Sequence, residues 1–177
     1  TADDEYDGDL SPSDISLREA LELAIASPGS TIQFSAALLN QVILLTNPAG
    51  RLPVANVQVV GLGAPFLTID GNQRGTVVAT GVGNPLLSHL TITGGTSGGI
   101  YVGAGSLSLD HVVVRDNSSG NGGGIYVSGG TLTVVNSIIS GNSAMGSSGK
   151  GGGIYSTGSI TITNSTVSGN SARNIGG

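Results

Sequence analysis

A few groups of residues have types and spacings that could do chemistry. Asp3-x-Glu5-x-Asp7-Gly8-x-Leu10-Ser11-x-x-Asp14 sets oxygen donors, a glycine and an apolar residue at the positions of a calcium loop. With Asp9 inside the same run, Asp3, Glu5, Asp7, Asp9 and Asp14 are the candidate metal ligands, and calcium is the only cofactor the residues suggest. Glu5 and Asp14 depart from the usual residue types at their places in that loop, and a solvated acidic lead-in is the plainer reading of the same stretch. Asp110, His111, Arg115 and Asp116 are the types used as acid, base and anion clamp in polysaccharide cleavage. No neighbouring segment supplies the second carboxylate or lysine that such chemistry needs, so no catalytic residue is assigned and the chain is expected not to be an enzyme. Tyr101, Tyr126 and Tyr155 each follow an isoleucine in equivalent places, and outward rings in one column would stiffen a face or offer a stacking platform to sugars.

Two further columns are polar. His89 and His111 align with Asn136 and Asn164, while Asn117, Asn142 and Asn170 align with one another. Stacked asparagines can bond amide to amide, which makes them structural. The histidines read as corner residues, since a zinc site needs a third ligand and none is adjacent. Ser106 and Ser108, Thr131 and Thr133, and Ser159 and Thr161 form a hydroxyl array of the kind that orders water, but half are serines, which lack the methyl group of ice-binding arrays. Asn117-Ser118-Ser119 and Asn164-Ser165-Thr166 are glycosylation sequons. Gly149-Lys150 lacks the rest of a phosphate loop.

The columns follow from an internal repeat. GGIYVGAGSLSLDHVVVRDN from Gly98, GGIYVSGGTLTVVNSIISGN from Gly123 and GGIYSTGSITITNSTVSGN from Gly152 align, and Ile100, Ile125 and Ile154 set periods of 25 and 29 residues. Inside each repeat the period is two: Leu107 and Leu109, Leu132 and Val134, and Ile160 and Ile162 alternate with Ser108, Thr133 and Thr161. That pattern calls for strands with one buried face. A helix carrying Gly122-Gly123-Gly124 would lose nearly 1 kcal/mol per glycine, which excludes helical repeats. Propeller blades are too long and leucine-rich repeats need another consensus. The expected fold is therefore all-β: a right-handed parallel β-helix of about five coils with three short strands each, its hand taken from the crossover rule. Ile100/Ile125/Ile154, Leu107/Leu132/Ile160 and Val114/Ile139/Val167 should stack inside. The first ninety residues fit less regularly, with short strands expected at 31–34, 42–45, 57–60, 67–70 and 76–79. Glycine is expected at the corners for its freedom to take positive φ.

Composition agrees with this architecture. The 177 residues include 31 glycines, only 3% aromatics, 10% charged residues and no cysteine, which excludes disulfide frameworks and thiolate chemistry. Of the net charge of −5, six acids fall in the first fourteen residues, leaving five acids against six bases elsewhere. Such a near-neutral body lacks the basic footprint for nucleic acid or anionic lipid. No apolar stretch approaches the roughly 18 residues of a membrane span.

One helix is expected, from about Ser16 to Ala26, with Leu17, Ala20, Leu21, Ala24 and Ile25 on its apolar side. Ser13 or Asp14 would cap it, Pro28-Gly29 would end it, and Arg18 and Glu22 would pair on the solvent side. An open β-helix needs such a lid. The expected organisation is thus 1–28, acidic lead-in and capping helix, followed by 29–177, the β-helix. The run from Asn170 to Gly177 enters another repeat and stops. It reads as a fragment of a longer polypeptide or as a bare edge that stacks on another molecule.

The stretch from Asp7 to Ala20, with Ser16-Leu17-Arg18-Glu19-Ala20 at its end, resembles the N-terminal signature of bacterial surface proteins defined by the motif CSLREA, with Ile15 in place of the cysteine. The GGGIY and NSxxSGN repeats resemble those of the same proteins and, more loosely, of polymorphic outer membrane protein adhesins. The resemblance implies a right-handed β-helix in a secreted or cell-surface setting with a non-catalytic structural or adhesive role. Expected partners are the chain itself, stacked head to tail into a filament, or surface glycans. The alternative is a carbohydrate-active β-helix enzyme or a glycan-binding module.

Overall fold

The structure, a computed structural model, describes residues 15–147 and 149–173. Helix α1 (Leu17–Ala26) opens it. Coil 1 holds β1 (Thr31–Gln33), a 3-10 turn at Ala36–Leu38, β2 (Gln41–Leu44) and β3 (Leu52–Val54). Coil 2 holds β4 (Gln58–Val60), β5 (Leu67–Asp70) and β6 (Val78–Thr80), and coil 3 holds β7 (Leu86–Ser88), β8 (Thr91–Thr93) and β9 (Ile100–Val102). Coil 4 contains β10 (Ser106–Asp110), β11 (Val113–Arg115), β12 (Ser118–Ser119) and β13 (Ile125–Val127). Coil 5 contains β14 (Thr131–Val135), β15 (Ile138–Ser140), β16 (Ser143–Ala144) and β17 (Ile154–Ser156). A partial sixth coil adds β18 (Ser159–Thr163), β19 (Thr166–Ser168) and β20 (Ser171–Ala172).

Strands pair only with their counterparts in adjacent coils, and every pairing is parallel. The first sheet runs β1-β4-β7-β10-β14-β18, the second β2-β5-β8-β11-β15-β19 and the third β3-β6-β9-β13-β17. The two-residue strands β12, β16 and β20 form a fourth, minor sheet, so the later coils exceed the expected three strands. Register follows the aligned repeats: Leu107 faces Leu132, which faces Ile160, and Ile125 lies between Ile100 and Ile154. The inward, all-aliphatic second-sheet column runs Ile43, Ile69, Ile92, Val114, Ile139, Val167. Burying each such side chain contributes about 1.5–3 kcal/mol, which offsets the ordering of so much glycine.

A neighbouring coil does the burying. Leu132, Val134 and Ile139 in coil 5 are fully buried, whereas Ile160, Ile162 and Val167, which continue their columns in coil 6, are 38–47% exposed. Pro53 sits in β3, at the edge of the third sheet, where no ladder donor is missed.

At the other end α1 lies over coil 1 with Leu17, Leu21 and Ala24 buried. Three details differ from expectation. Ser16 is the N-cap: its hydroxyl accepts from the Glu19 amide, and the Glu19 carboxylate accepts from the Ser16 amide, a reciprocal capping box. Arg18 is buried, not on the solvent side, because its guanidinium donates to the carbonyls of Gly50 (2.7 Å) and Arg51 (3.3 Å) at a coil-1 corner. Ile25 is turned outward, at 45% exposure. Ser13 and Asp14 lie outside the described residues.

Candidate functional site

The outward face of the third sheet carries an aromatic ladder. Tyr126 pairs in register with Tyr101 and Tyr155, and each ring is half-buried beside a core isoleucine. Tyr101 and Tyr126 meet edge to face, with centroids 5.7 Å apart; Tyr126 and Tyr155 are tilted, at 5.4 Å. Toward coil 1 the same outward column continues as Ala79 and Pro53. The result is an outward stripe of Pro53, Ala79 and three tyrosines whose adjacent rings are inclined by 79° and 34°.

The corner between the first and second sheets carries the histidines. His89, His111, Asn136 and Asn164 all take φ between 49 and 57°, the left-handed region that a short polar side chain tolerates. Their side chains therefore leave successive coils in parallel, and the imidazoles of His89 and His111 stack with centroids 4.9 Å apart and planes 9° apart. His111 Nδ1 lies 2.9 Å from Asp110 Oδ1, which also accepts from Asn136 Nδ2 at 3.0 Å. The Asn136 hydrogen bond, seconded by His111 and opposed by slight burial, holds the Asp110 carboxyl below its ordinary range. Arg115 and Asp116 form a separate exposed ion pair at 2.6 Å. Asp110, His111, Arg115 and Asp116 are thus drawn together as two self-satisfied pairs.

Asn117 and Asn142 of the asparagine column are sealed inside, and Asn170 is half-buried. Asn142 Oδ1 accepts from the amide of Asn117 (3.1 Å) and from its Nδ2 (3.0 Å), and Asn170 Oδ1 accepts from the same two groups of Asn142 (3.0 and 2.9 Å). Each Nδ2 also donates to a strand carbonyl one coil back: Ile92, Val114 and Ile139 in turn. In coil 3 the place belongs to Gly95, whose amide donates to Asn117 Oδ1 and ends the ladder. The sequon at Asn117 is consequently buried, while Asn164 is exposed.

This ladder also explains glycines that corner geometry does not. In the two triplets only Gly122 and Gly151 have positive φ. A Cβ on Gly99, Gly124 or Gly153 would come within 2.7–2.9 Å of the amide of Asn117, Asn142 or Asn170. The signal is present in the sequence as co-recurring GGI and N positions in each repeat, and reading glycine as a turn former alone does not reach it.

The hydroxyl array holds its register, Ser106–Thr131–Ser159 and Ser108–Thr133–Thr161. Asp3, Glu5, Asp7, Asp9 and Asp14, the calcium candidates, lie outside the described residues. Among the described residues no three His, Asp or Glu side chains are gathered to hold a metal. Nor is any helix there long and apolar enough to cross a membrane. One groove, of about 190 Å³, runs between α1 and coil 1 and is lined by Leu17, Ala20, Ile32, Phe34 and Leu38.

Parallel coils, stacked columns and interior ladders define a β-solenoid repeat protein. The chain belongs to the right-handed β-helix family, whose model, described as the right handed beta helix region, matches residues 66–176. No curated protein and no solved structure matches it.

Proposed function

We propose that the protein is a non-catalytic extracellular structural or adhesive β-helix, and that the Tyr101–Tyr126–Tyr155 stripe is its contact face for surface glycans. The observation that carries this reading is the ladder itself: three rings held in register on a rigid sheet, flanked by Ala79 and Pro53. Pyranose rings present C–H faces at a similar repeat, and pre-ordered aromatics bind them with little entropic loss. The resemblance of the N-terminal stretch to CSLREA proteins supports a secreted or surface location. Head-to-tail assembly is a variant of this reading, and it has to accommodate helix α1 over coil 1.

The test is binding to arrayed bacterial and host polysaccharides by the wild-type protein and by Tyr101→Ala, Tyr126→Ala and Tyr155→Ala. Binding that falls about two- to twelvefold when the central ring is removed supports the reading, given the ~0.5–1.5 kcal/mol each aromatic contact contributes. Unchanged binding in all three variants, or release of new reducing ends or unsaturated products from the polysaccharides, would overturn it. Light scattering across concentration tests the assembly variant, which predicts a mass that grows with concentration.

A further inference from the structure

An open groove of about 530 Å³ lies at the corner between the second and third sheets. Its walls come from three successive coils: Pro48, Gly50 and Arg51 of coil 1, Arg74 and Thr76 of coil 2, and Ser97 of coil 3. That volume is in the ~300–1,000 Å³ range of small-ligand sites.

The corner gathers positive charge that the rest of the body lacks. Arg18, Arg51 and Arg74, half of the six Lys and Arg residues in the chain, meet here. Arg18 is committed to structure, since it holds the carbonyls of Gly50 and Arg51. Arg51 and Arg74 are exposed, and neither guanidinium has a hydrogen-bonding or ionic partner among the described residues. Arg115, by contrast, is paired with Asp116. Asp70, which ends β5 ahead of the corner, accepts from the Asn72 amide at 2.8 Å.

Turns and coil-to-coil bonds hold the walls in place. Asn47 Oδ1 accepts from the Ala49 amide at 2.8 Å, and the Arg74 amide donates to Gly71 O at 2.8 Å. Gly75 O accepts from the amides of Thr96 and Ser97, both at 2.9 Å, which ties the coil-2 wall to coil 3. The Thr76 hydroxyl donates to Ser97 O at 3.0 Å, so its lone pairs point to a ligand as acceptors only, while the exposed Ser97 hydroxyl can donate or accept. Unpaired guanidinium forks fit planar oxyanions, each offering two parallel N–H donors to one carboxylate. The apolar side chains of the lining are Pro48 and Ala49 alone, which gives no pocket to anchor a peptide side chain, whereas the hydroxyls match those of a sugar.

We infer that this groove binds a carboxylated saccharide, Arg51 and Arg74 taking the carboxylates of an acidic sugar and Thr76 and Ser97 its hydroxyls. The groove stands apart from the tyrosine stripe, whose rings belong to strands of coils 3 to 5.

The experiment titrates the purified chain by isothermal calorimetry with short oligomers of galacturonate, glucuronate and mannuronate, and with the same oligomers after methyl esterification. The expected result is saturable binding of a free-acid oligomer that weakens as salt is raised, with its ester bound at least tenfold more weakly. Arg51→Gln and Arg74→Gln should each weaken binding about tenfold, the low end for a hydrogen bond to a charged group because both side chains are exposed, and the double variant should abolish it. Neither side chain has a partner to lose, so circular dichroism should be unchanged in all three variants. Tyr126→Ala should leave oligouronate binding intact, so this groove and the tyrosine face are tested separately. Absence of binding to all three free-acid oligomers, equal affinity for acid and ester, full affinity in the double variant, or equally tight binding of a polyglutamate peptide of the same charge would overturn the proposal.

Discussion

Replacing Asn142 by alanine should be among the most damaging single changes in this molecule, although it removes one small polar side chain. Asn142 is completely buried and makes four side-chain hydrogen bonds at 2.9–3.1 Å: two accepted from Asn117, one donated to Val114 O and one donated to Asn170 Oδ1. Some of those partners keep another bond after the substitution. Asn117 Nδ2 retains the carbonyls of Ile92 and Arg115, and Asn170 Oδ1 retains the Asn142 amide. The Asn117 backbone amide loses its bond to Asn142 Oδ1, and that orphan alone costs about 1–3 kcal/mol. Adding about 1 kcal/mol for each of the three other lost bonds gives a loss of roughly 4–6 kcal/mol, a large part of the ~5–15 kcal/mol typical of a domain. Urea unfolding followed by circular dichroism measures it. Asn136→Gly is the control: it removes an exposed asparagine from a corner of the next column and suits φ of 50° without strain. A loss under about 1 kcal/mol for Asn142→Ala, or equal losses for the two variants, would refute the view that the ladder's buried amides hold the coils together.

Other consequences follow from the same packing. Gly124→Ala places a methyl 2.6 Å from Gly153 O and 2.9 Å from Asn142 Cγ, and should lower stability by about 1–3 kcal/mol in the same urea assay. Leu132→Ala, in the middle of its column and fully buried, should cost about 2–5 kcal/mol, whereas Ile160→Ala, 38% exposed one coil on, should cost clearly less. Arg18→Ala removes the charged anchor to Gly50 O and Arg51 O; hydrogen exchange should then quicken in α1 and β3 while the amides of coils 4 and 5 stay protected.

The solenoid was legible because two periods are superposed in one stretch of chain. Alternation in Leu107-Ser108-Leu109 sets the strand, and recurrence of that triplet as Leu132-Thr133-Val134 sets the coil, so the two periods together fix the register. The tyrosine column, the histidine corner and the asparagine ladder were legible for the same reason. Less regular stretches were not. β3 was missed because Pro53 argues against a strand unless the strand is known to be an edge, and β7 because Leu86-Leu87-Ser88 lacks alternation. The burial of Arg18 depends on carbonyls more than thirty residues away, a relation no helical pattern encodes. Ile25 stays outside, 45% exposed, although it lies on the apolar side of the helical pattern. Ser16 was passed over as the cap because Ser13 and Asp14 have equally suitable side chains, and only the reciprocal bond with Glu19 decides between them.

Cysteine cross-linking reads the stacking of successive coils most directly, since the chain has no cysteine of its own. Ser108, Thr133 and Thr161 face one another across β10, β14 and β18, so adjacent Cα atoms lie about one strand spacing, ~4.8 Å, apart. Under mild oxidation the double variants Ser108→Cys/Thr133→Cys and Thr133→Cys/Thr161→Cys should form intramolecular disulfides, and Ser108→Cys/Thr161→Cys, two coils apart, should stay reduced. Rapid closure of the distant pair, with the two adjacent pairs left open, would contradict the in-register parallel stacking on which every other inference rests.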